Sequence, residues 1–111
     1  MKGIDMKYGI SSFVWASPFS DTTLDLLGKA ARMGFDYFEI CVEDPATINP
    51  QSISPVLAEV GIRALVCGAF GPSRDISSDD SGVRRQGVDY IKTCIDIAKT
   101  LHSPLVSGPM Y

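Results

Sequence analysis

The chain has 111 residues, a formal net charge of −3, 45% apolar and 21% charged residues. That length accommodates one domain at most, with a modest core, because burial efficiency falls with size. Basic residues form no run, no stretch approaches the roughly 20 apolar residues of a membrane span, and Met1–Tyr8 lacks the apolar region of a leader, so neither nucleic acid nor a membrane is an expected partner.

The first predicted strand covers Tyr8–Ser12. A loop with Trp15, Pro18 and Phe19 follows, and Ser20 or Asp21 is positioned to cap a helix whose stripe is Leu24, Leu27, Ala31 and Met33, with Gly34 as its stop. The second strand, Tyr37–Val42, is apolar on both faces apart from Glu39, as in a parallel strand buried on both sides. Glu43–Pro50 is a loop, in which Glu43 and Asp44 are expected as solvated charges. A short helix then carries Ile53, Val56, Leu57 and Val60 and ends at Gly61. The third strand is Arg63–Gly68. The longest loop, Gly68–Ser78, leads to a helix expected to begin at Ser77 or Ser78, with Asp79 and Asp80 near its positive end. Its stripe is Val83, Gly87, Ile91, Cys94, Ala98 and Leu101. Pro104–Ser107 is the fourth strand.

Strands alternating with helices at this spacing imply parallel strands joined by crossover helices. The expected fold is α/β, β1-α1-β2-α2-β3-α3-β4. Residues 1–111 then form a single incomplete domain, the N-terminal half of a (β/α)8 TIM barrel, with an undersized doubly wound sheet as the competing arrangement. The three widely spaced cysteines, Cys41, Cys67 and Cys94, read as free thiols of a reducing, cytoplasmic compartment.

In parallel α/β folds ligands sit at the carboxyl ends of the strands. Trp15 and Phe19 follow strand one there and supply an apolar wall, against the alternative of loop packing. Gly68–Arg74 matches no phosphate-binding fingerprint, and a flexible loop is the better reading. Cys67 ends a strand, but a nucleophile needs a base within reach. The one histidine, His102, falls at the end of the last helix, where a cation suits the dipole. Glu39 inside a strand needs a partner, and Arg63 on the neighbouring strand is the candidate for a structural ion pair.

The segments Met33–Ile40, Gly71-Pro72-Ser73 with Ser77–Asp80, Val83–Gly87 and Leu101–Gly108 resemble the N-terminal part of the sugar-phosphate isomerase/epimerase superfamily, and within it the ketose 3-epimerases (the D-tagatose and D-psicose 3-epimerases). The resemblance implies a xylose-isomerase-like TIM barrel that epimerises a free ketohexose at C3. In that family two glutamates move the proton around a divalent metal, manganese or else cobalt or magnesium. The family's metal ligands and both catalytic glutamates lie on later strands, so the resemblance assigns no catalytic residue and no metal ligand to this chain. It implies a substrate wall of Trp15, Phe19, Cys67, Gly68, Gly108 and Pro109 and a small ketose as partner; the open strand edges of a half barrel make a homo-oligomer or larger assembly the expected state. Ser11 and Ser12 stand where the epimerases carry aromatics, which leaves the preferred sugar open. The alternatives are a hydroxypyruvate-isomerase-like member of the superfamily and a non-catalytic half-barrel.

Overall fold

The computed structural model describes residues 5–109; the start of the segment read for a leader lies outside the described residues. Four strands form one parallel sheet in the order β1 (Gly9–Ser11), β2 (Tyr37–Val42), β3 (Arg63–Gly68), β4 (Val106–Ser107). Three helices connect them: α1 (Asp25–Arg32), α2 (Pro50–Val60) and α3 (Ser81–Thr100). The strand–helix alternation is as expected.

Local chemistry sets most boundaries. Asn49 caps α2 by accepting from Gln51 N–H at 3.1 Å, Pro50 opens the helix, and Gly61 closes it at φ 74°, a left-handed conformation that costs a residue with a side chain more than it costs glycine. Ser20 does cap, but the turn it opens is a 3-10 turn over Asp21–Thr23 that precedes α1. The start of α3 differs from expectation. Asp80 is its cap, accepting from Gly82 N–H at 2.7 Å and Val83 N–H at 3.3 Å, while Ser77 hydrogen-bonds to Asp75 in the preceding turn. A carboxylate accepts more strongly than a hydroxyl at the positive end of a helix, and it displaces the cap to the last acid of the run.

β1 and β4 are shorter than expected. Ser12 turns away from β1 into a 3-10 turn, and its hydroxyl accepts from Cys41 N–H at 3.1 Å. Ser103 Oγ accepts from Val66 N–H at 3.1 Å and donates to Leu105 O at 2.7 Å, so a side chain supplies the pairing that Pro104 cannot.

Successive strand residues point to opposite faces. Phe38, Ile40 and Val42 of β2 and Ala64 and Val66 of β3 face the helices and join Leu27, Ala30, Ile53, Leu57, Tyr90, Cys94, Ile97 and Ala98 in one core. The helix stripes were only partly readable. Met33 lies past the end of α1 and is 59% exposed, whereas Tyr90 and Ile97 are buried.

Phe19 belongs to this core. It is 1% exposed and packs on Phe38 with ring centroids 5.5 Å apart. The loop after β1 therefore folds inward over the helix side of the sheet, and Phe19 lines no open surface of the described chain. Replacing Phe19 with Ala is expected to cost about 3–5 kcal/mol, the range for a buried phenylalanine. Urea unfolding followed by circular dichroism measures it; a loss under about 1 kcal/mol would return Phe19 to a peripheral role.

Candidate functional site

The face of the sheet turned away from the helices is half polar. Strand register lays Ser11, Glu39 and Leu65 in one row across β1, β2 and β3, and Cys41, Cys67 and Ser107 in the next row across β2, β3 and β4. The second row is nearer the carboxyl ends, where parallel sheets bind ligands. Cys41 Sγ lies 3.5 Å from Ser11 Oγ and donates to Glu39 Oε1 at 3.7 Å; Cys67 Sγ donates to Gly68 O at 3.4 Å. The ligand atoms of Glu39, Cys41 and Cys67 all fall within 4.8 Å of one another. Sequence reading missed this cluster. Its signal was the matching position of Cys41 and Cys67, each second-to-last in its strand run.

The same register undoes the expected Glu39–Arg63 pair. Arg63 stands opposite Tyr37, two residues before Glu39, and its side chain is solvent-exposed. Among the described residues the ion pair present is Asp5–Lys7, at 3.3 Å.

Burial raises the Cys67 thiol from its ordinary value of 9.0 to about 12, with the adjacent Cys41 and Glu39 adding to the effect. At neutral pH this thiol holds its proton. His102 offers it no base: it is exposed beyond α3, in a left-handed conformation at φ 57°, beside the amino-terminal end of β3. A groove of about 610 Å³ also lies at that end, lined by Tyr37, Leu57, Gly61, Arg63 and His102. In (β/α)8 folds the amino-terminal end serves stability, so the carboxyl end is the candidate site.

Of the residues read as a substrate wall, Cys67, Gly68 and Gly108 come together. Gly108 has φ 129°, and a side chain there would run into the Gly68 backbone, so the ends of β3 and β4 approach as closely as two glycines permit. Pro109 is exposed next to them. Trp15 is half-buried in the loop after β1, with the Lys29 ammonium 4.4 Å from its ring centre. Phe19 is in the core, as described above. Glu43 and Asp44 are more than solvated charges. Glu43 accepts from Ser17 Oγ at 2.7 and 2.9 Å, tying the loops after β1 and β2 together, and Asp44 caps the 3-10 turn Pro45–Thr47.

The loop after β3 is anchored rather than free. Tyr90 from α3 donates its hydroxyl to Val42 O and accepts from Ala69 N–H at 2.8 Å. Its ring meets Phe70 edge-on at 5.3 Å and lies under the Arg74 guanidinium at 4.0 Å, while Arg74 also donates to Ala69 O at 2.9 Å. Arg74 therefore helps pin the loop after β3 to α3. Burial pushes the Tyr90 phenol above its ordinary value, keeping the proton on the oxygen that Val42 needs.

No protein-family model matches the chain. Curated relatives include an L-ribulose 3-epimerase of Mesorhizobium japonicum, 27% identical over 103 residues (92% of this chain, 35% of that protein), and a ketose 3-epimerase of Arthrobacter globiformis, 27% identical over 107 residues (96% and 37%). Its homologues are ketose 3-epimerases. Among solved structures, a D-allulose 3-epimerase from Methylomonas sp., crystallised with D-allulose, superposes at TM-score 0.88 with 26% identity (96% of this chain, 37% of that one). An L-ribulose 3-epimerase superposes at 0.83 with 28% identity (95% and 36%). The chain spans a little over a third of the length of these relatives. The four parallel strands and three helices match part of a (β/α)8 barrel.

Two outcomes test this geometry. Tyr90→Phe leaves Val42 O and Ala69 N–H without their partner and is expected to cost about 1–3 kcal/mol, with faster amide exchange at Ala69 read by NMR; unchanged exchange would detach the loop from Tyr90. The second concerns alkali. Because folding raises the Cys67 value above 9.0 towards about 12, the unfolded chain releases this proton first as pH rises. The Cys67 contribution is present below pH 9.0 and is lost between there and about 12. Urea midpoints should fall through that range more steeply in the wild type than in Cys67→Ser; parallel slopes would contradict the assignment.

Proposed function

We propose that this chain supplies the first four strands of a (β/α)8 enzyme of the ketose 3-epimerase kind, acting on a small free ketose in the cytoplasm. The observation that carries the reading is the superposition of 96% of the chain on a D-allulose 3-epimerase at TM-score 0.88. The helix-free face then becomes the barrel interior, and the carboxyl ends of β1–β4 become one wall of the sugar site. Cys67, Gly68, Gly108 and Pro109 would lie along that wall. The two glycines leave room for a ring or an extended sugar to approach backbone, which supplies both donors and acceptors for hydroxyl groups. Trp15 would border the mouth from the loop after β1.

The divalent metal of the family reading is not matched by this chain's donor set. Manganese and magnesium take oxygen donors, whereas the cluster among the described residues offers one carboxylate and two thiols. The chain's part in the reaction is accordingly to position and enclose the substrate; the proton-transfer groups would come from elsewhere in the enzyme. The sheet edges fit this division. β1 and β4 are each paired on one side, and Ile95 and Leu105 are exposed beside a groove of about 470 Å³ along α3 and β4. Open edges and uncovered apolar surface favour a polypeptide partner, either the rest of a barrel or a second copy.

The test is a chimaera in which this chain replaces the matching third of the Methylomonas D-allulose 3-epimerase. We expect manganese-supported C3 epimerisation of a ketose, read by polarimetry or by deuterium uptake at C3, with Trp15→Ala raising KM. The 111 residues alone are expected to be inactive. A folded chimaera that turns over no ketose, or activity that stays with the isolated chain through repeated chromatography, would contradict the reading.

A further inference from the structure

Glu39 is half-buried, and no cationic side chain pairs with it among the described residues. A carboxylate withdrawn from water without a counter-charge is destabilising. Its neighbours on this face are Ser11 and Leu65 in its own row and two thiols in the next. Cys41 follows two residues later on the same face of β2, and Cys67 is the register partner of Cys41 on β3. The result is a triangle of one oxygen and two sulfur donors, each within 4.8 Å of the others, with the Glu39–Cys41 edge at 3.7 Å.

We propose that Glu39, Cys41 and Cys67 bind a thiophilic divalent cation of the zinc or cadmium class. Tetrahedral ligation with metal–sulfur bonds of about 2.3 Å places two sulfurs about 3.7 Å apart, a spacing inside the 4.8 Å within which all three donor atoms already lie. All three donors sit on the paired strands β2 and β3, which hold their spacing. Three protein ligands leave a fourth position for water, the arrangement of an open rather than a closed zinc site. As each metal–sulfur bond forms, the thiol proton passes to solvent, and the two thiolates and the carboxylate together outweigh the dication by one negative charge. Thiolate donors select such ions over the manganese and magnesium class. This site is made wholly by the present chain and does not rest on the proposed epimerase activity.

Cobalt(II) titration of the reduced 111-residue chain tests it. We expect one equivalent to bind, with a thiolate-to-cobalt charge-transfer band and the visible bands of tetrahedral cobalt, both abolished by added zinc. The bands should be lost in Cys41→Ser and in Cys67→Ser, weakened in Glu39→Gln, and kept in Cys94→Ala, because Cys94 lies on the helix side of the sheet. Circular dichroism confirms that each variant is folded. Should a serine variant unfold, the wild-type chain decides: zinc should slow alkylation of Cys41 and Cys67 relative to the metal-free chain, mapped by mass spectrometry, and leave the rate at the core thiol Cys94 unchanged. Absence of the charge-transfer band from the wild type, its persistence in either folded serine variant, or equal protection of all three cysteines would overturn the proposal.

Discussion

The parallel pairing of β2 with β3 is the constraint on which the rest depends. It runs in register for six residue pairs, from Tyr37 opposite Arg63 to Val42 opposite Gly68. Because side chains alternate, that single alignment sends Phe38, Ile40, Val42, Ala64 and Val66 to the helices and Glu39, Cys41, Leu65 and Cys67 to the other face. A slip of one residue on either strand would exchange its two sets, burying a carboxylate and thiols against α2 and α3 and exposing the aromatic and branched side chains. The apolar core therefore selects the register, and the register assembles the polar face. The two short edge strands depend on this pair. β1 is held to β2 partly through the Ser12 hydroxyl on Cys41 N–H, and β4 to β3 partly through Ser103 on Val66 N–H.

How much of this was legible in the sequence follows from how local each cause is. Gly61 closes α2 within the chain's own neighbourhood and that end was readable, whereas Pro50, read as the last residue of the preceding loop, opens the helix behind the Asn49 cap. The start of α3 was read at Ser77 or Ser78 and falls later because the Asp80 carboxylate takes the cap, while Ser77 is engaged with Asp75 in the preceding turn. β1 was read one residue too long at its end because Ser12 is drawn off by a backbone donor 29 positions away. Phe19 was misplaced for a related reason. A loop aromatic has no periodicity to show which way it points, and the cavity above Phe38 that takes it exists only once β2 is paired.

The candidate site divides along the same line. Glycines at strand ends and a cysteine ending β3 are visible one at a time, and Cys67, Gly68 and Gly108 do converge. The Glu39–Cys41–Cys67 triangle was not visible, since two of its members are brought together by register across a crossover helix. The expected Glu39–Arg63 pair failed on that register as well: both residues are on one face, but two positions apart along it. Likeness to ketose 3-epimerases adds what the chain's own chemistry does not show, a match to part of a (β/α)8 barrel, on which the proposal that this face is an inner wall rests. The wall and the metal-like cluster are separate inferences from one surface, the first carried by superposition and the second by donor geometry.

The most direct measurement is the proximity of Cys41 and Cys67 in solution. Nuclear Overhauser contacts between their β-methylene protons, in a chain labelled at cysteine, report the β2–β3 register and the composition of the helix-free face at once. The account expects a strong contact between Cys41 and Cys67 and none from either to Cys94, which lies across the sheet. A contact of Cys94 with Cys41 or Cys67, or no contact between the two in a folded chain, would contradict the register and with it both readings of the site.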